Sequence, residues 1–262
     1  MPPKTTYDDI TYAVADHVAR ITLNRPDALN GMTRQMRGEL AHAFNRVSGE
    51  ARVILLAAAG DSFCAGQDLG GGRGAVDVDL EHLVREELTP ILTAMAAAEA
   101  PIIAAVNGPA AGAGANLALA ADVVIAARSA TFTQAHAKAG LMPDLGGTFH
   151  LPRLVGLPRA MGMALFGEAI SAPQAAEWGL IWEVVEDKDL TARASELAAR
   201  LAKGPTRAFA ATRHAMRQSL SQSFDVQMVL EAETQGRLAG TRDFAEGVSA
   251  FLNGREPDFE GR

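Results

Sequence analysis

IIAAVNGPAAGAGANLALAADVVIAA, residues 102–127, sets a continuous apolar strand, IIAAV (102–106), before a Gly-rich turn and helix, GPAAGAGANLALAA (108–121), and a second strand, VVIAA (123–127). Neither strand alternates apolar with polar residues, the pattern of strands covered on both faces. Strand, helix and strand in that order imply a parallel pair joined by a right-handed crossover. Asn116 and Asp122 interrupt the stretch, so a buried helix and strand fit it better than a membrane span.

The flanks extend the pattern. Upstream, VILLAAA (53–59) is another unbroken apolar strand, and Met36, Leu40, Phe44 and Val47 recur at helical spacing over 33–48. Before them, ITYAV (10–14) and VARITLN (18–24) flank Ala15-Asp16-His17, a gap of hairpin size. Residues 60–74 read as a loop, and Leu80, Leu83, Val84, Leu88, Ile91, Leu92 and Met95 mark a helix that Pro101 ends. Downstream, Ser171 with Gln174 resembles a capping box, and IWEVV (181–185) reads as the last strand. Helices then follow near 190–202, 206–219, 224–239 and 242–252. The fold class is therefore α/β with a largely parallel sheet. Terminal helices after such a core usually pack as a lid or a subunit contact, and no linker or repeat sets them apart.

Composition bounds the function. The 262 residues are 48% hydrophobic and 21% charged, enough for a large core. Only 5% are aromatic, which predicts close packing of small residues. The net charge of −7 disfavours sequence-independent nucleic-acid binding. A single cysteine, Cys64, excludes an internal disulfide and a Cys-based zinc cluster. No metal is expected. MPPKTTYDDITY lacks the apolar segment of a secretory signal, so a cytoplasmic protein with no membrane association is the expectation.

Three Gly-rich segments carry the chemistry: residues 64–68, 107–114 and 144–148. From Gly112 the order is Gly-Ala-Gly-Ala-Asn-Leu, which lacks the third glycine of a dinucleotide loop, and there is no phosphate-binding G-x-x-x-x-G-K-[S/T]. A nicotinamide oxidoreductase thus fails on spacing. A loop entering a helix can offer free backbone N–H groups to a developing negative charge, and two such loops would form an oxyanion hole for a thioester or ester carbonyl. Equally, the glycines can serve tight turns and close packing alone.

NRPDALN (24–30), FCAGQDL (63–69), AAVNGPAAGAGANLALAADVVIAARSATF (104–132), PDLGGT (143–148) and SAPQAAEWGLI (171–181) follow one another along the chain. In this order they resemble the crotonase (enoyl-CoA hydratase/isomerase) superfamily, over nearly the whole chain from Tyr7 to Phe259. The resemblance implies a spiral of ββα turns over residues 1–200 holding an acyl-CoA site. It also implies a helical C-terminal trimerisation region over 201–262, in a homotrimer or a dimer of trimers. It puts the oxyanion-hole N–H groups at Gln67 and Ala113, to hold a thioester enolate. Backbone near Ala65 and Asp68, with Gln67 and Leu69, would cradle coenzyme A, and Arg25 would lie near its phosphates. Arg25 has the alternative reading of a solvated turn residue. Coenzyme A is part of the substrate, and no separate cofactor is implied.

The departures choose the subclass. In hydratases of this family one glutamate sits where this chain has Asn116 and a second where it has His136. Hydration uses both carboxylates, one to activate water and one to protonate the α-carbon, so ordinary hydratase chemistry is not expected. What remains is Asp144. Members with an aspartate in this turn resemble isomerases, and one carboxylate suits moving a proton from one carbon to another. The alternative for Asp144 is a helix N-cap. Asn116 would orient the substrate or Asp144, or serve as a packing amide; His136 reads as a structural polar residue or a second base. CAGQDL, AAGAGANLAL, GLMPDLGGT and EGVSAFL are similar to the branch that isomerises ring-1,2-epoxyphenylacetyl-CoA to oxepin-CoA and moves 3-enoyl double bonds to the 2-position. Two alternatives stand: an isomerase of aliphatic enoyl-CoA, and an acyl-CoA-binding protein without chemistry.

Smaller features read as structural. Cys64 is a small packed residue, and Trp178 and Trp182 belong to the core. Asp77, Asp79, Glu81, Glu86 and Glu87 form a solvated helix face. Gly70, Gly71, Gly72 and Gly74 give a mobile loop beside the acyl pocket. Phe251 and Phe259 would reach a neighbouring subunit's substrate.

Overall fold

The computed structural model describes residues 6–47, 49–68 and 78–262. The expected loop glycines 70–72 and 74, Leu69 and Asp77 lie outside them.

Strands β1 (Ile10–Ala15) and β2 (Val18–Leu23) form an antiparallel hairpin. Asp16 and His17 at its tip both have positive φ, 49° and 63°, the backbone of a two-residue turn whose twist matches that of the strands. Helix α1 (Arg34–Arg46) starts at Thr33, whose hydroxyl accepts the Met36 N–H. Its apolar stripe buries Met36, Leu40, Ala43 and Phe44. Strands β3 (Val53–Ala58), β4 (Ile102–Val106) and β6 (Val123–Ala127) pair in parallel, with β2 on one side and β9 (Glu183–Val185) on the other. Among the described residues the sheet order is β1-β2-β3-β4-β6-β9. Val53 to Leu56 and all of β4 are buried, so the absence of alternation does report two covered faces.

Small residues let helices approach this sheet closely. In α8 (Leu190–Ala202) the buried positions are Leu190, Ala194, Ala198 and Ala202, one per turn. Helix α9 (Thr206–Gln218) is tied by Arg213 to the residue that precedes β6 and to the segment before β4. Its guanidinium donates to Asp122 at 2.5 Å, to the Met95 carbonyl at 3.0 Å and to the Ala98 carbonyl. Helices α10 (Phe224–Ala239) and α11 (Arg242–Leu252) follow, and α10 buries none of its residues.

The sequence pattern missed a second sheet, β5-β7-β8, built from Ala110–Ala111, Thr131–Thr133 and Ala169–Ser171. Strands this short carry no periodicity. Helix α6 (Leu157–Phe166) was also not anticipated, and α5 (Gly147–Val155) entered only through the N-cap alternative for Asp144. Helix α7 (Ala172–Glu177) begins at Ser171 as expected, the Ser171 hydroxyl accepting the Gln174 N–H.

The helix expected from Leu80 to Met95 is interrupted. Helix α2 (Leu80–His82) runs into a π-helical segment, Leu83–Leu88, and then into α3 (Thr89–Ala97). Pro90 explains the widening, because it lacks an N–H and its ring crowds the carbonyl four residues back. The Thr89 N–H and hydroxyl both donate to the Val84 carbonyl, five residues earlier.

Two assignments change. Trp182 is 72% exposed at the sheet's edge, beyond the reach of the core, whereas Trp178 packs against it. Glu87 is not on a solvated face: its side chain is 15% exposed and pairs with Arg37 at 2.7 Å. In the C-terminal region the Phe259 carbonyl accepts from Arg52 at 3.0 Å, and Phe251 is exposed.

Candidate active site

The 64–68 segment lies against the start of α4 (Ala113–Leu119), held there by Ala111 N–H to Cys64 O at 2.9 Å. Gly114 is required at this crossing, since a Cβ there would sit 2.3 Å from the Cys64 carbonyl. Cys64 is fully buried; burial pushes its thiol up to about 11, and the thiol donates to the Asn30 carbonyl at 3.0 Å. It is a packing residue. Among the described residues, the N–H groups of Gln67 and Ala113 donate to no other backbone or side-chain group. Gln67 is half-buried and Ala113 buried.

Asp144 lies in the turn before α5, within reach of the Gln67 side chain. Leu145 and Gly146 take positive φ, 43° and 75°, and Gly146 rather than Asp144 occupies the N-cap position with no side-chain cap. The N-cap reading of Asp144 is therefore set aside. The carboxylate is 19% exposed and each oxygen has a partner: His136 Nε2 lies 2.9 Å from Oδ1, and Gln67 Nε2 donates to Oδ2 at 3.4 Å. The backbone carbonyl of Asp144 accepts from Asn116 Nδ2 at 2.8 Å and from the Gly147 N–H at 2.8 Å.

Asn116 is wholly buried. Its side-chain oxygen accepts from Gln134 Nε2 at 2.8 Å, and its amide donates to Gln134 Oε1 at 3.3 Å as well as to the Asp144 carbonyl. Asn116 thereby anchors the Asp144 turn. Gly147 permits this closeness, because a Cβ there would lie 2.4 Å from Asn116 Nδ2. His136, 8% exposed, stands directly beside Asp144.

The coenzyme-binding candidates lie around Asp68. Ala65 is exposed, and its N–H donates to the Leu29 carbonyl at 3.0 Å. Arg25 is neither a solvated turn residue nor a bare cation: it donates to the Gly31 carbonyl at 2.6 Å and to Asp68 at 2.8 Å, with Asp9 3.5 Å away. Leu69 lies outside the described residues. Among those residues no group of three or more His, Cys, Asp or Glu is placed to hold a metal ion, and no helix is long and apolar enough to cross a membrane.

Gln134, Arg37 and Glu87 belong to this network and were not anticipated. Arg37, 6% exposed on α1, donates to Gln67 Oε1 at 2.9 Å and to the Met32 carbonyl at 2.7 Å, and pairs with Glu87 from the π-helical segment. Charged residues on helices read as solvent-facing, and only the tertiary contact reveals otherwise. On the α5 side, His150 is held below the usual imidazole range by burial and then by the nearby Arg217 and Arg153.

A family model described as enoyl-CoA hydratase/isomerase matches residues 14–262. The chain belongs to the enoyl-CoA hydratase/isomerase family. Over 98% of its length it is 53% identical to the whole of a probable enoyl-CoA hydratase of Rhodobacter capsulatus. Over 94% it is 46% identical to a 1,2-epoxyphenylacetyl-CoA isomerase of Escherichia coli, covering 95% of that protein. The crystal structure of a putative enoyl-CoA hydratase/isomerase from Mycobacterium abscessus superposes with a TM-score of 0.92 at 39% identity, over 97% of this chain and 100% of that one. The fold is the crotonase fold, and this member is an enzyme of that family.

Proposed function

We propose that this family member is an acyl-CoA isomerase that moves a proton between carbons through a thioester enolate, with 1,2-epoxyphenylacetyl-CoA as its substrate and 3-enoyl-CoA as a second one. One observation carries the reading. The carboxylate that the Gln67 side chain reaches is Asp144, while the positions where the family resemblance puts the two hydratase glutamates hold Asn116 and His136, both bonded to Asp144 itself.

In this reading the N–H groups of Gln67 and Ala113 receive the thioester oxygen. Removing one such donor typically costs about 10²–10³ in rate. For a 3-enoyl thioester, the C2–H bond breaks, its proton goes to Asp144, and the electron pair moves into the enolate. The proton then returns to C4 as the double bond settles between C2 and C3, so no atom is gained or lost. Coenzyme A lies along Ala65 and Asp68, and Arg25 holds Asp68 in place. The reaction needs no cofactor beyond the coenzyme A carried by the substrate. Apolar residues exposed on α5, α6, α10 and α11, among them Phe149, Leu165, Phe224 and Phe251, support a trimer that covers them.

The test compares kcat/KM on enzymatically prepared 1,2-epoxyphenylacetyl-CoA, on a 3-enoyl-CoA, and on a 2-enoyl-CoA offered for hydration. The expected result is turnover of the first two, with hydration slower by about 10² or more for want of the carboxylate pair. Turnover of the aliphatic substrate alone rejects the ring epoxide, and hydration as fast as isomerisation rejects the class. Binding of all three without turnover favours a non-catalytic acyl-CoA-binding protein.

A further inference from the structure

The two oxygens of Asp144 are not equivalent. Oδ1 meets the nearly buried His136 at 2.9 Å, whereas Oδ2 has a single, longer donor, Gln67 Nε2, at 3.4 Å. His136 Nδ1 is buried with no partner among the described residues. A proton on Nδ1 would be an orphaned buried donor, and would leave two lone-pair atoms, Nε2 and Oδ1, facing each other. The tautomer with hydrogen on Nε2 avoids both costs, so His136 donates to Oδ1. The approach of the Asp144 N–H to the same ring nitrogen, at 3.4 Å, is the weaker contact.

The orientation of the Gln67 amide, often undetermined, is set by Arg37. A guanidinium has donors only, so the Gln67 oxygen must face Arg37 and its NH2 must face Asp144. Arg37 is itself held by Glu87 and by the Met32 carbonyl. A line of contacts thus runs from the π-helical segment through α1 to the carboxylate: Glu87, Arg37, Gln67, Asp144.

We propose that Gln67 serves the reaction twice, its main-chain N–H receiving the thioester oxygen and its side-chain amide, oriented by Arg37, positioning Asp144 so that Oδ2 takes and returns the proton. This rests on the isomerase reading. One residue then fixes the distance between the enolate-stabilising donor and the base. Gln67 (by its side chain) and Arg37 are positioning residues, because they act through Asp144.

The experiment uses the full-length enzyme and a 3-enoyl-CoA deuterated at C2. It measures kcat, KM and the fraction of label delivered to C4 for wild type, Gln67→Met, the double variant Arg37→Met/Glu87→Gln, and Asp144→Asn. Gln67→Met keeps the backbone N–H and the Arg37–Glu87 pair. The double variant removes that pair without stranding a buried charge. Both are expected to lower kcat about 10- to 100-fold with KM within about twofold, and to lower the fraction of label transferred. If Gln67→Met keeps wild-type kcat and label transfer while Asp144→Asn is inactive, the positioning role is overturned and the isomerase reading stands. If Asp144→Asn keeps full activity, the isomerase reading itself fails. Should the double variant not fold, Gln67→Met alone decides.

Discussion

At the residue scale, the Asp144 turn depends on two small facts of packing. Asn116 cannot retreat, because it is wholly buried and paired with Gln134, and Gly147 leaves it just enough space. Gly147→Ala should therefore shift the turn rather than Asn116, costing about 1–3 kcal/mol in urea denaturation and lowering kcat more than it raises KM. An unchanged kcat would show that the turn tolerates the methyl group. Asn116→Leu strands the buried Gln134 amide and removes one of the two donors to the Asp144 carbonyl, and should destabilise by about 1–3 kcal/mol. Asp144 and Asn116 stand in motifs that the sequence shows, and His136 is singled out only by comparison with the family's hydratases. Gln134, Arg37 and Glu87 were not legible as site residues. Arg37 and Glu87 are 50 positions apart, and nothing in a helix's charge pattern says which polar residue another element will cover.

At the element scale, long elements were readable and short or interrupted ones were not. Apolar spacing and capping placed α1 and the four C-terminal helices within about two residues of their observed ends. The strands of the second sheet are two or three residues long, below the length at which alternation is detectable. The π-helical segment escaped because heptad-like spacing continues through Pro90 while the backbone does not. It carries Glu87 to Arg37, the contact on which the proposed positioning of Asp144 depends. The tie between α9 and the core can be tested by Arg213→Met, which frees two carbonyls and weakens the hold on Asp122. Arg217 still reaches Asp122 at 2.9 Å, so the expected loss is about 3 kcal/mol, the lower end for breaking a buried pair. A loss below about 0.5 kcal/mol, typical of a surface substitution, would show that α9 is held otherwise.

The C-terminal tail has its own clasp. The Arg255 guanidinium holds the Glu246 carboxyl down to about 2, helped by the Asp258 N–H. A depressed carboxylate pKa stabilises the folded form above the group's ordinary range, and that contribution is lost as the pH falls through about 2. Amide exchange at Asp258, whose N–H donates to Glu246 at 2.8 Å, should stay protected at about pH 5 and open as the pH approaches the folded value. Protection that persists after the carboxyl is protonated would contradict this.

At the scale of the whole molecule, the apolar faces left exposed on α10 and α11 fit the proposed trimer. Phe251, 85% exposed, and Leu252, 76% exposed, are the sharpest case. Sedimentation equilibrium of wild type should give a trimer or a pair of trimers, and Phe251→Asp with Leu252→Asp should shift it toward monomer; a monomeric wild type would contradict the trimer reading. The net charge of −7 excludes bulk attraction to polyanions, yet the proposed substrate carries the phosphates of coenzyme A. Binding must then rest on local donors, and higher salt should weaken it little.

Asp144 and the N–H groups of Gln67 and Ala113 are proposed to generate a thioester enolate. This chemistry is tested most directly by deuterium exchange at the α-carbon of phenylacetyl-CoA in heavy water, with wild type and Asp144→Asn compared side by side. The expected result is exchange well above the buffer rate for wild type and a rate lower by about 10² or more for the variant. Exchange no faster than buffer with wild type, or undiminished in Asp144→Asn, would contradict it.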